Sequence, residues 1–307
     1  MFSLLFDTKE GDIMKPSVLG AIYLAGAASI WGSVYVVSKY LMESVEPLVL
    51  IWLRYLIAIL FLGGAVLVKR LPLAVAKEDI KWIVAVGTIG YFLSIWTQFV
   101  GTQLSTAQMG AVITSAVPAF MVIFAFFILR EKITLRKAIA VILSTVGVLF
   151  VIGFDTQTTT IQLGGMILFF AALTWALMSV LVKKIPTHYS QAVLTMYELM
   201  LASIIMTPLV WQNVTIDYAV DLLTSPLGGW IWYLGIVATA VAFYLWNEGL
   251  RLSAVGSGSI YFFFQPLVGA FLGWLFLGET TGLGFFCGMI LIFAGVYIVM
   301  REDSIGK

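Results

Sequence analysis

This sequence has little charge, almost no cysteine or histidine, and no long polar segment. Only 11% of its 307 residues are charged and 61% are hydrophobic, whereas about 25% of the residues in a soluble domain are charged. A water-soluble domain, a disordered chain and a fibrous protein are therefore excluded together. The formal net charge of +1 gives no reason to expect nucleic acid as a partner.

The missing residue types also exclude most catalytic and metal chemistry. The single cysteine, Cys287, cannot form an internal disulfide, and with the single histidine, His188, it leaves too few ligands for a typical structural zinc site. The sequence contains no glycine-rich phosphate-binding loop and no His-Glu-x-x-His motif. We therefore predict no catalytic residue, no metal site and no cofactor. A membrane-embedded enzyme that uses Arg54 and Glu198 is kept as a minor alternative.

The sequence does have a series of long apolar runs. A hydrocarbon core about 30 Å thick is crossed by about 20 apolar residues in a helix. Ten runs of this kind are separated by charged or turn residues, which predicts an all-α integral membrane protein with ten transmembrane helices. The runs are Val18–Leu41, Pro47–Lys69, Ile80–Gly101, Leu104–Leu129, Thr134–Gly153, Leu163–Val182, Tyr189–Trp211, Gly229–Leu250, Val255–Leu277 and Gly282–Met300.

The basic residues are distributed unevenly between the two predicted faces of the membrane. With ten crossings, every Lys and Arg except Lys39 and Arg54 falls on the side of the N-terminus. Cytoplasmic loops carry the excess of Lys and Arg. Both termini are therefore predicted to be cytoplasmic, with residues 1–17 before the first helix and 301–307 after the last.

The second half of the sequence repeats the first. At one fixed spacing, Leu19-Gly20, Trp31 and Lys39 recur as Leu163-Gly164, Trp175 and Lys183. At a slightly larger spacing, Gly101, Leu104, Ser105, Gly110, Pro118, Glu131 and Gly147 recur as Gly249, Leu252, Ser253, Gly258, Pro266, Glu279 and Gly295. The predicted repeats, 18–153 and 163–300, hold five helices each. Because five is odd, the repeats are predicted to be inverted about an axis in the membrane plane, which is typical of transporters that work by alternating access. A static scaffold and a duplicated enzyme are the alternatives.

Several short motifs resemble those of a known family. They are Trp31-Gly32-Ser33, Leu53-Arg54-Tyr55, the segment TQLSTAQMGAVITSAVP at 102–118, Leu129-Arg130-Glu131-Lys132, the segment YLWNEGLRLS at 244–253, Gln265-Pro266 and Leu277-Gly278-Glu279. In order and spacing the set resembles the drug/metabolite transporter superfamily, in particular its ten-helix members with two EamA domains. The resemblance implies a secondary carrier in the plasma membrane, often an exporter of amino acids or other small metabolites. It also implies a central cavity lined by the first four helices of each half.

Two charged residues are predicted inside the membrane, Arg54 in the second run and Glu198 in the seventh. An intramembrane charge costs about 2.5–3.5 kcal/mol on insertion scales and so normally faces a functional interior. Arg54 is expected to attract a substrate carboxylate or to pair with Glu198, and Glu198 is expected to titrate if protons drive transport. A structural ion pair or a hydrogen-bonded anchor is the alternative for both.

Other polar and small residues are assigned less specific roles. Lys39, Glu248 and Glu279 lie near predicted interfaces and are interpreted as solvated helix ends. Glu279 and its counterpart Glu131 could instead cap neighbouring chain ends. Gly284 and Gly288 have the spacing of a close helix contact, either within one monomer or between two.

The remaining candidate residues are prolines and groups suited to lining a cavity. Pro118 and Pro266 remove helical hydrogen bonds at matching positions and are predicted hinges, or kinks that only shape packing. The residues predicted to line a substrate cavity besides Arg54 and Glu198 are Trp31, Tyr35, Trp96, Gln98, Thr114, Trp175, Tyr244, Asn247, Tyr261 and Gln265.

Together these features predict a secondary active transporter that moves a small organic metabolite, such as an amino acid, across the plasma membrane, with export as the expected direction. Its expected partners are the substrate, the lipid bilayer and protons, and it is expected to act as a monomer or homodimer. An exporter of drugs or amphipathic cations is the main alternative. A channel is a further alternative, but the continuous polar lining that a channel needs is not evident in the sequence.

Overall fold

The computed structural model describes residues 16–152, 158–186, 188–212, 214–252, 261 and 263–305, and this part of the chain is helical and contains no strand. The first half comprises α1 (Pro16–Leu41), α2 (Pro47–Val68), α3 (Ile80–Leu104), α4 in two pieces (Ala107–Thr114 and Val117–Leu129) and α5 (Leu135–Ile152). The second half comprises α6 (Thr159–Val182), α7 (Gln191–Val210), α8 (residues 228–252), α9 (Phe264–Leu277) and α10 (Leu283–Ile305), with a short helix, Ile216–Thr224, before α8.

These helices are apolar enough for a membrane protein. Seven have the length and composition to cross a bilayer, or eight if the two pieces of α4, which are bent by 40°, form one span. The segments Phe264–Leu277 and Leu283–Ile298 are shorter apolar helices. The all-α membrane fold is thus confirmed, and the count of ten crossings stays a prediction. The run predicted at 255–277 lies outside the described residues at 255–260 and 262.

Many large apolar side chains lie on the outer surface of the helices. Phe127 is 72% exposed and Leu283 is 81% exposed, and many other large apolar side chains also face outward. In water, such a continuous apolar surface would drive association. In a bilayer it contacts lipid tails, while the backbone polar groups are satisfied within the helices.

The two halves end their fourth helices in the same way. Arg130 after α4 and Gly278 after α9 both have left-handed backbone conformations, with φ angles of 57° and 63°. In each case the next residue, Glu131 or Glu279, donates its N–H to a carbonyl near the helix end at 3.2 Å. Glycine adopts this conformation freely, whereas at Arg130 it costs about 1–2 kcal/mol. The repeat seen in the sequence is therefore present in local structure.

The last helices of the two halves, α5 and α10, pack closely and run antiparallel. A methyl group placed on Gly288 would lie 2.4 Å from the carbonyl oxygen of Gly147, and one on Gly295 would lie 2.6 Å from that of Ala140. Higher residue numbers on one helix thus meet lower numbers on the other, which fixes the antiparallel direction. Gly288 therefore serves a contact within one chain, as one of the two sequence interpretations had it.

Replacing Gly288 with alanine is expected to lower the free energy of unfolding by about 1–3 kcal/mol. The new methyl group would meet backbone, which no side-chain rotation can move away. Thermal unfolding of the purified protein in detergent measures the effect. Gly64→Ala in α2 is the matched control, because a methyl group there meets nothing within 4 Å. Equal stability of the two variants would contradict the packing argument.

Candidate functional site

A central cavity of about 440 Å³ lies between the two halves. Helices α1 to α4 and α6 to α9 all contribute to its wall, whereas no described residue of α5 or α10 does. This is the arrangement that the resemblance implies. We call the membrane face at which α1 begins the near face and the face at which α1 ends the far face. At the near face the wall reaches Ile185, between α6 and α7, and the exposed Gln191, the first residue of α7.

Most of the residues predicted from the sequence meet in this cavity. They are Trp31, Tyr35, Arg54, Gln98, Thr114, Trp175, Glu198, Gln265 and the predicted hinge residue Pro118. Four others do not line it. Trp96 stacks on Phe92 at 5.7 Å between ring centroids, Tyr244 faces the ammonium group of Lys69 at 5.4 Å, Tyr261 lies beside Phe264 at 6.4 Å, and Pro266 is buried in the first turn of α9. The side chain of Asn247 lies outside the described residues.

Three hydrogen-bonded side chains form the far end of the cavity. The Tyr35 hydroxyl and Thr114 Oγ1 are 2.5 Å apart, and Gln265 Nε2 donates to both, at 3.0 and 3.2 Å. These residues belong to α1, α4 and α9, so the cluster ties both halves together. It lies directly before the break in α4, where Pro118 stands in the first turn of the second piece. The bend of 40° in α4 is therefore located at the cavity wall.

Arg54 is buried in the cavity wall with one donor unused. Its Nε donates to Thr239 Oγ1 at 2.7 Å, and its guanidinium carbon lies 5.7 Å from the centroid of the Phe99 ring. Its Nη1 is buried and has no hydrogen-bond partner in the part of the chain that the structure describes. Arg54 and Glu198 form no ion pair within 4 Å, so the pairing considered from the sequence is wrong. Each charge instead contacts a neutral residue of the opposite half.

Glu198 matches Arg54 in the second half, at the spacing that relates Trp31 to Trp175, and is only 4% exposed. Its carboxyl interacts with the side chain of Tyr91 in the first half, as Arg54 interacts with Thr239 in the second half. Tyr91 and Thr239 both lie in π-helical segments, Gly87–Ser94 of α3 and Tyr233–Val241 of α8. Such segments are rare and are often found at functional sites. The same arrangement therefore occurs once for Arg54 and once for Glu198: a polar side chain from a π-helical segment of the opposite half contacts the buried ionisable side chain.

Thr239 and Phe243 line the cavity but were not identified from the sequence. Thr239 donates to the carbonyl of Leu234 at 2.8 Å, which leaves its oxygen lone pairs free to accept from Arg54. The sequence signal that could have identified Thr239 is its hydroxyl group, which stands alone in an apolar run. Phe243 carried no signal, because cavity-lining and lipid-facing aromatic residues look alike in a sequence.

Two charged residues near the far face are not the solvated ends that the sequence suggested. Lys39 Nζ donates to the carbonyls of Thr102 and Gln103, at 3.0 and 2.8 Å, and to that of Ser105. Long side chains at interfaces usually reach water, but here the unpaired carbonyls at the end of α3 are closer. The corresponding interpretation of Glu248 is not tested, because its side chain lies outside the described residues.

Glu279 accepts hydrogen bonds from the N–H groups of Ala107 and Gln108, at 2.6 and 2.9 Å. It thus caps the first piece of α4, which confirms the capping alternative for this residue. Burial raises the pKa of the Glu279 carboxyl, while the N–H groups of Gln108 and Ala107 and the charge of Lys39 act to lower it. The carboxyl is therefore largely withdrawn from water.

Comparison with known proteins agrees with this architecture. The profile of the EamA-like transporter family matches residues 18–153 and 162–301. The Bacillus subtilis (strain 168) protein named uncharacterized transporter YetK is 26% identical over 304 residues, covering 96% of this chain and 91% of that protein. A protein of Chlamydia trachomatis serovar D, named S-adenosylmethionine/S-adenosylhomocysteine transporter, is 27% identical over 320 residues, covering 98% and 95%. A solved crystal structure with 16% identity superposes with a TM-score of 0.64 over 94% of this chain and 98% of that one, a likeness of fold.

Proposed function

Because this chain belongs to the EamA-like transporter family, we propose that it carries an amino acid, or a metabolite with an amino-acid group, across the plasma membrane. The observation that carries the proposal is the unused donor of Arg54 in the cavity wall. A buried donor without an acceptor costs about 1–3 kcal/mol, and more when it is charged. A substrate carboxylate would supply the missing acceptor and form a charge-assisted hydrogen bond.

The remainder of the cavity suits the rest of such a molecule. Trp31, Tyr91, Trp175 and Phe243 give it aromatic walls, and Glu198 gives it one acidic group. A volume of about 440 Å³ lies within the range of about 300–1,000 Å³ of small-molecule sites. S-adenosylmethionine and S-adenosylhomocysteine, which the Chlamydia trachomatis relative is named for, combine an amino-acid group with an aromatic base. Compounds of that class would place a carboxylate and an aromatic ring in one cavity.

We propose transport by alternating access between two inverted halves that together cross the membrane ten times. The antiparallel packing of α5 and α10 supports the inversion, since these helices occupy matching positions in the repeat. The repeated contacts of Arg54 with Thr239 and of Glu198 with Tyr91 support it at the cavity. The concentration of Lys and Arg at the near face supports a cytoplasmic location for both termini. The cavity of this conformation would then face the cytoplasm, ready to load a substrate for export.

An exporter of drugs or amphipathic cations is the second candidate. The aromatic wall favours it, because ring faces attract cations. The buried guanidinium of Arg54 opposes it, because an organic cation in the cavity would be repelled by a charge that has no anionic partner within 4 Å among the described residues. The two candidates therefore differ in the charge of the molecule that is moved.

Uptake into proteoliposomes tests these candidates. The panel contains amino acids, S-adenosylmethionine, S-adenosylhomocysteine, nucleosides and lipophilic cations, each with and without an imposed pH gradient, and protein-free vesicles are the control. Saturable uptake of a carboxylate-bearing compound is the expected result. Movement of lipophilic cations alone would favour the second candidate, and movement of no panel member would contradict the proposed substrate class.

A further inference from the structure

The corner between α3 and α4 at the far face is held by two side chains of opposite charge. The last carbonyls of α3 and the first N–H groups of α4 lack partners within their own helices. Lys39 from α1 binds the carbonyls, and Glu279 from the segment after α9 binds the N–H groups. A cation thus meets the negative end of one helix dipole and an anion meets the positive end of the next.

These contacts join helices from both halves of the protein. Gln108, at the start of α4, also donates to the carbonyl of Ala270 in α9 at 2.9 Å. Gly273 provides the space, because a methyl group there would lie 2.7 Å from Glu279 Oε2. The far end of the cavity therefore cannot widen between α1, α9 and the α3–α4 corner unless these hydrogen bonds break.

The residues that match Lys39 and Glu279 in the other half lie at the near face and are exposed to solvent. Glu131 corresponds to Glu279, and Lys183 corresponds to Lys39. Their side chains are 43% and 52% exposed, and Lys183 Nζ lies 3.9 Å from Glu131 Oε1. Lys39 and Glu279 are inserted between helices at the far face, whereas their counterparts Lys183 and Glu131 are solvated at the near face. The cavity wall reaches an exposed residue at that near face.

We propose that Lys39 and Glu279 form a latch that keeps the far end of the cavity closed in this conformation, and that the cavity opens to the far face when the latch is released. This inference rests on the proposed alternating access. Neither residue lines the cavity, so the latch controls which conformation is populated without contacting the substrate. Weakening it shifts the equilibrium toward the conformation that is open to the far face.

Distances between two spin labels at the far face test the latch without any substrate. The labels are placed at Ser44→Cys, exposed just after α1, and at Thr160→Cys, exposed at the start of α6, in a Cys287→Ala background. Because α6 packs against the end of α3 through Gly164 and Gly101, this pair reports the separation of α1 from the α3–α4 corner. Double electron–electron resonance is recorded for the purified protein.

Glu279→Gln is the main variant because it keeps the shape but offers only one acceptor oxygen for two N–H groups. We expect a longer distance to appear, with the ratio of open to closed molecules raised about tenfold or more, since hydrogen bonds to charged groups are among the strong ones. Lys39→Met is expected to act in the same direction. Glu131→Gln is the matched control and is expected to leave the far-face distance unchanged.

A second variant covers the case in which Glu279→Gln does not fold. Gly273→Ala keeps the carboxylate but displaces it from the N–H groups, so we expect a smaller shift in the same direction. Wild-type distances in the folded latch variants would overturn the proposal, as would an equal lengthening caused by Glu131→Gln. If the distances change as expected but no panel compound is transported, the latch stands and the proposed substrate class fails.

Discussion

Replacing Arg54 with methionine is expected to lower the uptake of a carboxylate-bearing substrate by about 30-fold or more, measured at a substrate concentration below KM. Losing one partner of a buried charged hydrogen bond costs about 2–5 kcal/mol, and each 1.4 kcal/mol is a factor of ten. The unused Nη1 of Arg54 is the donor that the substrate would occupy. Methionine keeps the unbranched apolar stem of arginine and removes only the charged head.

A substrate that lacks the carboxylate separates recognition from folding. The decarboxylated amine has nothing to offer Arg54, so its uptake is expected to fall by less than about threefold in the Arg54→Met variant. Stability is expected to be unchanged or higher, because replacing a buried ion with an apolar group is often neutral or favourable. An equal loss for both compounds would mean that Arg54 only supports the helix packing.

Thr239→Val is the companion variant for Arg54. It removes the hydroxyl that holds Nε at 2.7 Å and keeps the shape of the side chain. The guanidinium would remain in the cavity but would no longer be fixed in one orientation. We expect a loss of carboxylate uptake that is smaller than that of Arg54→Met, about tenfold, because a hydrogen bond to a charged group is worth about 1.5–3 kcal/mol and the guanidinium itself is retained.

The sequence predicted the helices well because their signal is local. Apolar runs such as Pro47–Lys69 and Leu163–Val182 differ by a few residues from α2 and α6, since the end of an apolar run and the end of a helix in a bilayer share one cause. The intramembrane charges were found for a similar reason. A charge in an apolar run is costly wherever it lies, and both Arg54 and Glu198 line the cavity.

The partners of these residues depend on how distant segments meet, which no local pattern records. The sequence could not distinguish an ion pair between Arg54 and Glu198 from separate contacts with Thr239 and Tyr91, because the choice depends on the π-helical segments. Lys39 looked like a solvated end because the corner that it binds comes from another part of the chain.

Aromatic residues were the least predictable part of the site. Trp31 and Trp175 line the cavity, whereas Trp96 lies away from it against Phe92. All three stand in apolar helices of a chain with 14% aromatic residues. Only the rotation of each helix about its axis decides which ring faces inward, and that rotation is set by packing contacts such as Gly101 against Gly164.

We propose that Glu198 couples transport to protons, and replacing it with glutamine is expected to abolish that coupling. A gradient of one pH unit supplies about 1.4 kcal/mol per proton, which supports about tenfold accumulation of substrate with one-to-one exchange. Wild-type proteoliposomes with an acidic interior are expected to reach such accumulation, because protons leave as the substrate enters. Glutamine cannot release a proton, so the Glu198→Gln variant is expected to equilibrate its substrate and to accumulate none.

Counterflow distinguishes lost coupling from lost binding in the Glu198→Gln variant. Exchange of labelled for unlabelled substrate across the membrane needs no net proton movement, so it is expected to persist in this variant. Glu46→Gln, an exposed carboxylate at the start of α2 that makes no cap hydrogen bond through its side chain, is the control and is expected to keep full accumulation. If Glu198→Gln accumulates substrate as the wild type does, Glu198 is an anchor for Tyr91 and the coupling group lies elsewhere. If both accumulation and counterflow are lost, Glu198 binds the substrate, and its position in the same cavity as the Arg54 guanidinium would then favour a zwitterion that contacts both residues.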